Sequence, residues 1–246
     1  MTRRRWIADE VQGDTAALIG DHALHLARVL RAQVGQEFDI AAGGAVRLGK
    51  ITSISGDRVE FALGEERIVR PAPQVTLALA IFKFDRMEWA IEKCTEVGVA
   101  RIIPVIARRT DAHLALSAVK RHERWQRIAR QAAEQSRRAV PPEIAAPVKL
   151  KSLGSSGVPP AHRSEGAAVA DRIVLAESED GRPLRDALQA CSSEVCMAVG
   201  PEGGWTEDEL QWFRDSGWVA ASLGDTILRA ETAAIVAAAL ALEALR

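Results

Sequence analysis

Two short stretches near the carboxyl end hold the residue types that could do chemistry. In the first, an apolar run from Val195 to Val199 stops at Gly200-Pro-Glu-Gly-Gly204. In the second, the run from Trp218 to Leu223 stops at Gly224 and leads into Leu228-Arg-Ala-Glu-Thr232. Glycine permits backbone angles and close approaches that a side chain forbids, so both turns could wrap a ligand with main-chain groups. Glu202, Arg229 and Glu231 supply the charge. Arg229 cannot act as an ordinary base and suits a fixed cation beside a phosphate or a developing anion. Glu202 and Glu231 are candidate proton acceptors, although Glu231 would also suit a helix N-terminus and Glu202 could brace its own loop. The glycine spacing matches neither G-x-G-x-x-G nor the Walker A pattern, which argues against dinucleotides and triphosphates. A hydrolase reading lacks G-x-S-x-G.

Both turns must stand on secondary structure. Short apolar runs ending at glycine read as buried strands, and Thr206-Glu-Asp-Glu209 is a capping-box pattern that starts a helix. Two strand-turn-helix units of this kind make a ligand cradle at the strand ends of an α/β sheet. Upstream, Val75 to Ile81 is an apolar run, and Met87, Ala90, Ile91 and Cys94 recur at helical spacing before Gly98. Ile102 to Ile106 then completes a parallel strand-helix-strand unit. A long helix is expected from Ser117 to about Arg138, with Trp125, Ile128, Ala129 and Ala132 facing the core and Arg127, Gln131, Glu134 and Arg138 opposite. Residues 151–168 are rich in Gly, Ser and Pro and read as a surface loop. A strand at 173–176 and a short helix after Pro183 follow. The last helix, from Glu231, is alanine-rich and apolar nearly all round, so it must be buried, within the domain or against a second subunit.

Residues 1–70 have a different rhythm. Phe38 and Ile40, Val46 and Leu48, then Val59, Phe61 and Leu63 alternate between glycine-bearing turns, the pattern of a small β-rich domain. A short helix around Leu24 to Leu30 would put His25 and Arg28 on one face. Arg70-Pro-Ala-Pro73 is the expected linker, leaving 74–246 as an α/β domain.

At 246 residues and 48% hydrophobic content, the chain has enough material for one large or two modest cores. Cys94, Cys191 and Cys196 are odd in number and lack zinc-site spacing, which suits a reduced cytoplasm and no metal. His22 and His25 lack a Cys or carboxylate partner at metal-site spacing. No signal peptide is expected, because Thr2-Arg-Arg-Arg5 leads into no apolar segment. No apolar run is long enough to cross a membrane. Net charge is only −1, yet arginines gather at residues 3–5, at Arg28 and Arg31, at Arg108-Arg109 and across 120–138. Such patches can contact phosphates on a near-neutral protein.

The joined motifs, Gly200-Pro-Glu-Gly-Gly204 and Leu223-Gly-x-x-Ile-Leu-Arg-x-Glu-Thr-Ala233, resemble the bacterial 16S ribosomal RNA uridine-N3 methyltransferases of the SPOUT class. The likeness covers essentially the whole chain, and His25-Leu-Ala-Arg-Val-Leu-Arg31 matches the hallmark of that family's PUA-like N-terminal domain. It implies an α/β fold: a parallel sheet with a trefoil knot behind the small β-rich domain. It also implies a homodimer joined near the last helix, 16S ribosomal RNA or the small ribosomal subunit as partner, and S-adenosylmethionine as cofactor. The cofactor would be held by Leu175, Ala176, Glu177, Val199, Gly200, Pro201, Glu202, Gly203, Gly204, Leu223, Gly224, Ile227, Leu228, Arg229 and Thr232. Arg229, Glu231 and Glu202 are the catalytic candidates. Arg5, His25, Arg28, Arg31, Arg109, Arg137 and Arg138 are the expected RNA contacts. The chain departs from the family pattern at Arg137, where glycine is usual, and at Arg108, which replaces a glutamate. A uridine N3 must lose its proton to attack a sulfonium methyl, so something must accept that proton or stabilise the anion. A SPOUT ribose 2′-O-methyltransferase and a non-catalytic RNA-binding protein are the competing readings.

Overall fold

The computed structural model describes residues 5–67, 73–155, 158, 163–164, 167–168, 171–176, 182–189, 191 and 194–245. Arg3, Arg4, residues 70–72 of the expected linker and Glu177 lie outside them. The chain divides into two compact units, Met1–Pro71 with Ala133–Pro141, and Ala72–Ala132 with Pro142–Arg246.

In the first unit, β1 (Arg5–Ile7), β2 (Glu10–Gln12), β3 (Thr15–Ile19), β4 (Glu37–Ala42), β5 (Ala45–Ser55) and β6 (Arg58–Arg67) form one sheet. Its order is β1-β4-β5-β6-β3-β2; every pair is antiparallel except β1 with β4. The alternating residues anticipated from the sequence, Ile40, Val46, Val59 and Phe61, are fully buried. The short helix is α1 (Asp21–Leu24), which continues as a π-helical turn over His25–Val29. Leu30 N–H donates to the His25 carbonyl, the i→i+5 bond of that turn. Trp6, 2% exposed, lies under this turn with its ring 5.9 Å from that of His25 and 6.4 Å from that of His22.

The second unit opens with β7 (Gln74–Ala80), α2 (Phe84–Val97) and β8 (Arg101–Ile106). β7 and β8 pair in parallel, as the strand-helix-strand rhythm requires. Helix α3 (Ala112–Gln135) starts five residues earlier than expected, because the Asp111 carboxylate accepts the backbone N–H groups of His113 and Leu114. Its core stripe holds, with Trp125 and Ala129 fully buried, but Glu134 is also buried rather than on a solvent face. Within the first unit its Oε2 stands 3.6 Å from the Nε2 of His22.

Two short strands, β9 (Glu143–Ile144) and β10 (Val148–Lys149), pair in parallel along the edge of β8 away from β7. The expected loop after them is partly a 3-10 helix, Leu150–Ser155, whose Leu150 and Leu153 sink into the core. A small hairpin joins β11 (Arg163–Ser164) to β12 (Ala167–Ala168). The remaining elements are β13 (Arg172–Leu175), β14 (Arg182–Pro183), α4 (Leu184–Leu188), β15 (Glu194–Val199), α5 (Glu207–Asp215), β16 (Val219–Ser222) and α6 (Ala230–Ala244). The main sheet runs β10-β8-β7-β15-β13-β16-β14, with parallel pairing throughout.

Both faces of that sheet are covered, which explains why its strands read as continuous apolar runs. Val75, Leu77, Leu79 and Val195 pack with α2, α3, α4 and α6. Ala78, Ala80, Cys196 and Ala198 face the other way, towards Trp205, Phe213 and Trp218. Helix α6 buries one stripe, Ala230, Ala234, Ala237, Ala238, Ala241 and Leu242. Its Leu240 remains 41% exposed, so the expected all-round burial is not met within one chain. No helix among the described residues is long and apolar enough to span a membrane.

No disulfide joins Cys94, Cys191 and Cys196, and burial pushes Cys94 and Cys196 up to about 12 and Cys191 to about 11. The reactive species is the thiolate. In the native protein at pH 8, alkylation should therefore be slow at Cys191 and absent at the other two until urea is added. Mass analysis after timed iodoacetamide treatment checks this, and fast native labelling of Cys94 would contradict the packing.

Candidate active site

Strand order brings the two glycine turns to the same edge of the sheet. β13 pairs with β15 on one side, Val174 opposite Ala198, and with β16 on the other, Leu175 opposite Ala221. The carboxyl ends of β15 and β16 thus lie two strand spacings apart, roughly 10 Å, with the end of β13 between them. The chain goes from β13 first to one neighbour and then to the other. That reversal is where open parallel sheets bind ligands, outside the carboxyl ends of their strands.

Most sequence-predicted cofactor residues fall on these three strand ends and the helix beside them. Leu175 and Ala176 end β13, with the Ala176 N–H donating to the Ala221 carbonyl. Val199 to Gly204 follow β15, whereas Leu223, Gly224, Ile227, Leu228 and Arg229 join β16 to α6, and Thr232 lies in the first turn of α6. Ile227 is 83% exposed, an unusual state for an isoleucine unless something else covers it.

The first turn is held from beneath and from the side. The Trp205 indole N–H donates to the Leu175 carbonyl at 3.2 Å and so ties the turn to β13. A Cβ on Gly200 would stand 3.2 Å from that indole nitrogen, so a side chain here would press on the Trp205 ring. Gly204 has φ of 69°, the left-handed region. The capping box is present as expected: Glu209 Oε2 accepts the Thr206 N–H at 2.9 Å, and Thr206 Oγ1 accepts the Glu209 N–H. Glu209 Oε1 also accepts the Arg108 N–H at 2.7 Å, so one buried carboxylate joins the turn to the segment after β8. Arg109, expected at RNA, directs Nη1 to the carbonyls of Gly203 and Trp205.

The charged candidates are distributed unevenly. Arg229 is the N-cap residue of α6 and makes no side-chain capping bond. Glu231, in the first turn of α6, is 5% exposed. One residue that the sequence reading passed over, Arg86 of α2, stands 3.2 Å from Glu202 and 3.8 Å from Glu231. The signal for it was present: an arginine in the first turn of a helix opposes the macrodipole and needs another anionic partner.

Residues 70–242 match the RNA methyltransferase domain family. Over 97% of this chain and 77% of its relative, it is 32% identical to ribosomal RNA small subunit methyltransferase E of Synechocystis sp.. The protein of the same name from Mycobacterium bovis is 34% identical over 92% of this chain and 85% of its own. The chain belongs to the ribosomal RNA small subunit methyltransferase E family. Its fold also matches the crystal structure of the Neisseria gonorrhoeae member bound to S-adenosyl methionine, with a TM-score of 0.81 and 28% identity, covering 97% and 96% of the two chains.

The other RNA candidates of this family member lie in the first unit. The Arg5 guanidinium donates to the Arg137 carbonyl, which places β1 beside the 133–141 segment. Arg28 and Arg31 are exposed. Arg138 is half-buried, and that burial pushes its guanidinium down to about 10, leaving it charged at neutral pH. Arg31 and Arg137, with φ of 51° and 61°, are the non-glycine residues with positive φ among those described. At Arg137 the backbone is in the left-handed region that glycine adopts most readily.

Among the described residues, no group of three or more His, Cys, Asp or Glu could hold a metal ion.

Proposed function

We propose that the chain is an S-adenosylmethionine-dependent methyltransferase that methylates N3 of a specific uridine in 16S ribosomal RNA. The observation that carries this reading is the placement of two glycine turns on either side of the β13 end, in a chain of this family. The cofactor fits the residues present. A Cβ added at Gly224 would meet no atom within 4 Å, so the second turn stands beside open space, and Glu231 Oε2 is buried with no hydrogen-bond partner among the described residues. Main-chain groups of 175–176, 199–204 and 223–228 would hold it, with Thr232 beside them; Glu177 is part of the same proposal.

When bound, S-adenosylmethionine supplies a methyl group on a sulfonium. The protein's task is then to hold two reactants in register. Arg229 offers a cation to the uridine anion or a flanking phosphate, and Glu202 and Glu231 are the carboxylates within reach of the same turns. The trefoil knot, with β15 inserted between β7 and β13, belongs to this reading. So does a homodimer, supported by the uncovered Ala239 and Leu240 on α6. The natural place of such an enzyme is the cytoplasm, with the ribosomal RNA.

Residues 1–70 serve in this proposal as a PUA-like RNA-binding domain, and 74–246 as the SPOUT methyltransferase domain. Arg5, His25, Arg28, Arg31, Arg137 and Arg138 grip RNA, and Arg109 does so beside the glycine turn. A left-handed arginine costs roughly 1–2 kcal/mol, and such strain is retained where a side chain has work to do. Replacing Arg28, Arg31 and Arg138 together by alanine is expected to weaken RNA binding and reduce the salt slope by about 2 to 3. Filter binding at several salt concentrations measures this, and an unchanged slope would remove the basic patch from the account.

The direct test is nucleoside mapping of 16S ribosomal RNA from cells with and without the gene. Loss of one N3-methyluridine, restored by the gene, is the expected result. Loss of a ribose-methylated nucleotide would reassign the acceptor, and unaltered RNA would overturn the enzymatic reading.

A further inference from the structure

Arg86 has no evident reason to be where it is until its neighbours are considered. It lies in the first turn of α2, against the helix dipole, yet it is only partly exposed. Its Nη1 stands 3.2 Å from Glu202 Oε1, and its Nε 3.8 Å from Glu231 Oε1. Glu202 belongs to the turn after β15. Glu231 follows the turn after β16. A guanidinium presents its N–H groups in a fixed planar fork, so one arginine can orient two carboxylates at once.

Glu231 adds a second, independent observation. The residue is 95% buried, 5% of it being exposed, and its Oε2 has no hydrogen-bond partner among the described residues. Buried polar atoms are nearly always satisfied, and an exception at a ligand site marks a place where the ligand brings the missing donor. A carboxylate oxygen only accepts, so that donor is an N–H or O–H group.

We propose that Arg86 is a positioning residue: through Glu202 and Glu231 it ties the two glycine turns together and holds the bare Oε2 of Glu231 for a nitrogen-bound proton of a reactant. Both reactants carry one: S-adenosylmethionine at its ammonium and adenine amino groups, and uridine at its N3–H imide. The clamp rests on the methyltransferase reading for its ligand, but its structural half can be tested without any ligand.

The experiment uses the full chain and its Arg86→Gln, Arg86→Lys and Glu231→Gln variants, plus the double variant Arg86→Gln/Glu231→Gln. Amide hydrogen exchange is followed in the free proteins, S-adenosylmethionine affinity by calorimetry, and single-turnover methylation on small-subunit RNA. Arg86→Gln is expected to speed exchange in 200–205 and 229–232 together, by roughly tenfold or more. It should slow single turnover by roughly 10- to 100-fold, and adding Glu231→Gln should cost little beyond that. Arg86→Lys, a point charge without the fork, should recover only part of the loss, and it carries the comparison if Arg86→Gln fails to fold.

Weakened cofactor affinity in Glu231→Gln assigns an N–H group of S-adenosylmethionine. Intact affinity with lost turnover assigns the imide. Unchanged exchange in both segments, or fully additive losses in the double variant, would overturn the clamp. A wild-type protein that neither binds S-adenosylmethionine nor transfers methyl groups would instead overturn the methyltransferase reading, while the exchange data judge the clamp separately.

Discussion

Replacing Arg229 by alanine is expected to lower methyl transfer by about 10²- to 10³-fold, the usual effect of removing one group that stabilises developing charge. The fold should hardly notice. Arg229 caps α6 only through its backbone geometry, φ −62° and ψ 151°, and its side chain contributes no capping bond. Loss of an exposed cation of this kind changes stability by less than about 0.5 kcal/mol, a shift of roughly 1–2 °C in a chain of this length. Single-turnover kinetics and thermal melting on the same preparation separate the two effects. Near-normal turnover by a folded variant would take Arg229 off the catalytic list.

The largest effect on stability is expected at Phe213. It is fully buried, with ring centroids 4.9 Å from Trp205, 5.2 Å from Trp212 and 5.0 Å from Trp218, each pair edge-to-face. Phe213→Ala removes the centre of that cluster and should cost about 3–5 kcal/mol. Urea unfolding would report it as a lower midpoint at unchanged slope. The consequence extends to the site, because Trp205 holds the first glycine turn to Leu175. S-adenosylmethionine affinity should therefore fall even under conditions where the variant is fully folded. If affinity is untouched while stability drops, the aromatic cluster supports the sheet alone and not the turn.

Local rules carried far in this chain, and their failures have local causes. The capping box at Thr206 and Glu209 could be read from four letters, because both of its hydrogen bonds close within one helical turn. The strands at 195–199 and 102–106 were legible because they are buried on both faces. Helix α3 begins at Ala112 because the Asp111 carboxylate caps it, a signal separate from the apolar spacing that starts at Ser117. Periodicity puts Glu134 on the polar stripe, because it carries no information about His22, more than a hundred residues away in sequence.

The sequence by itself determined the composition of the two turns, the elements that carry them and the family resemblance that links them to methyl transfer. Only the tertiary structure decided that β13 lies between β15 and β16, and so that the turns share one edge of the sheet. It alone brought Arg86, more than a hundred residues upstream, to Glu202 and Glu231. Periodicity reports which face of an element meets the core, whereas strand order depends on long-range pairings whose partners leave no mark on either segment.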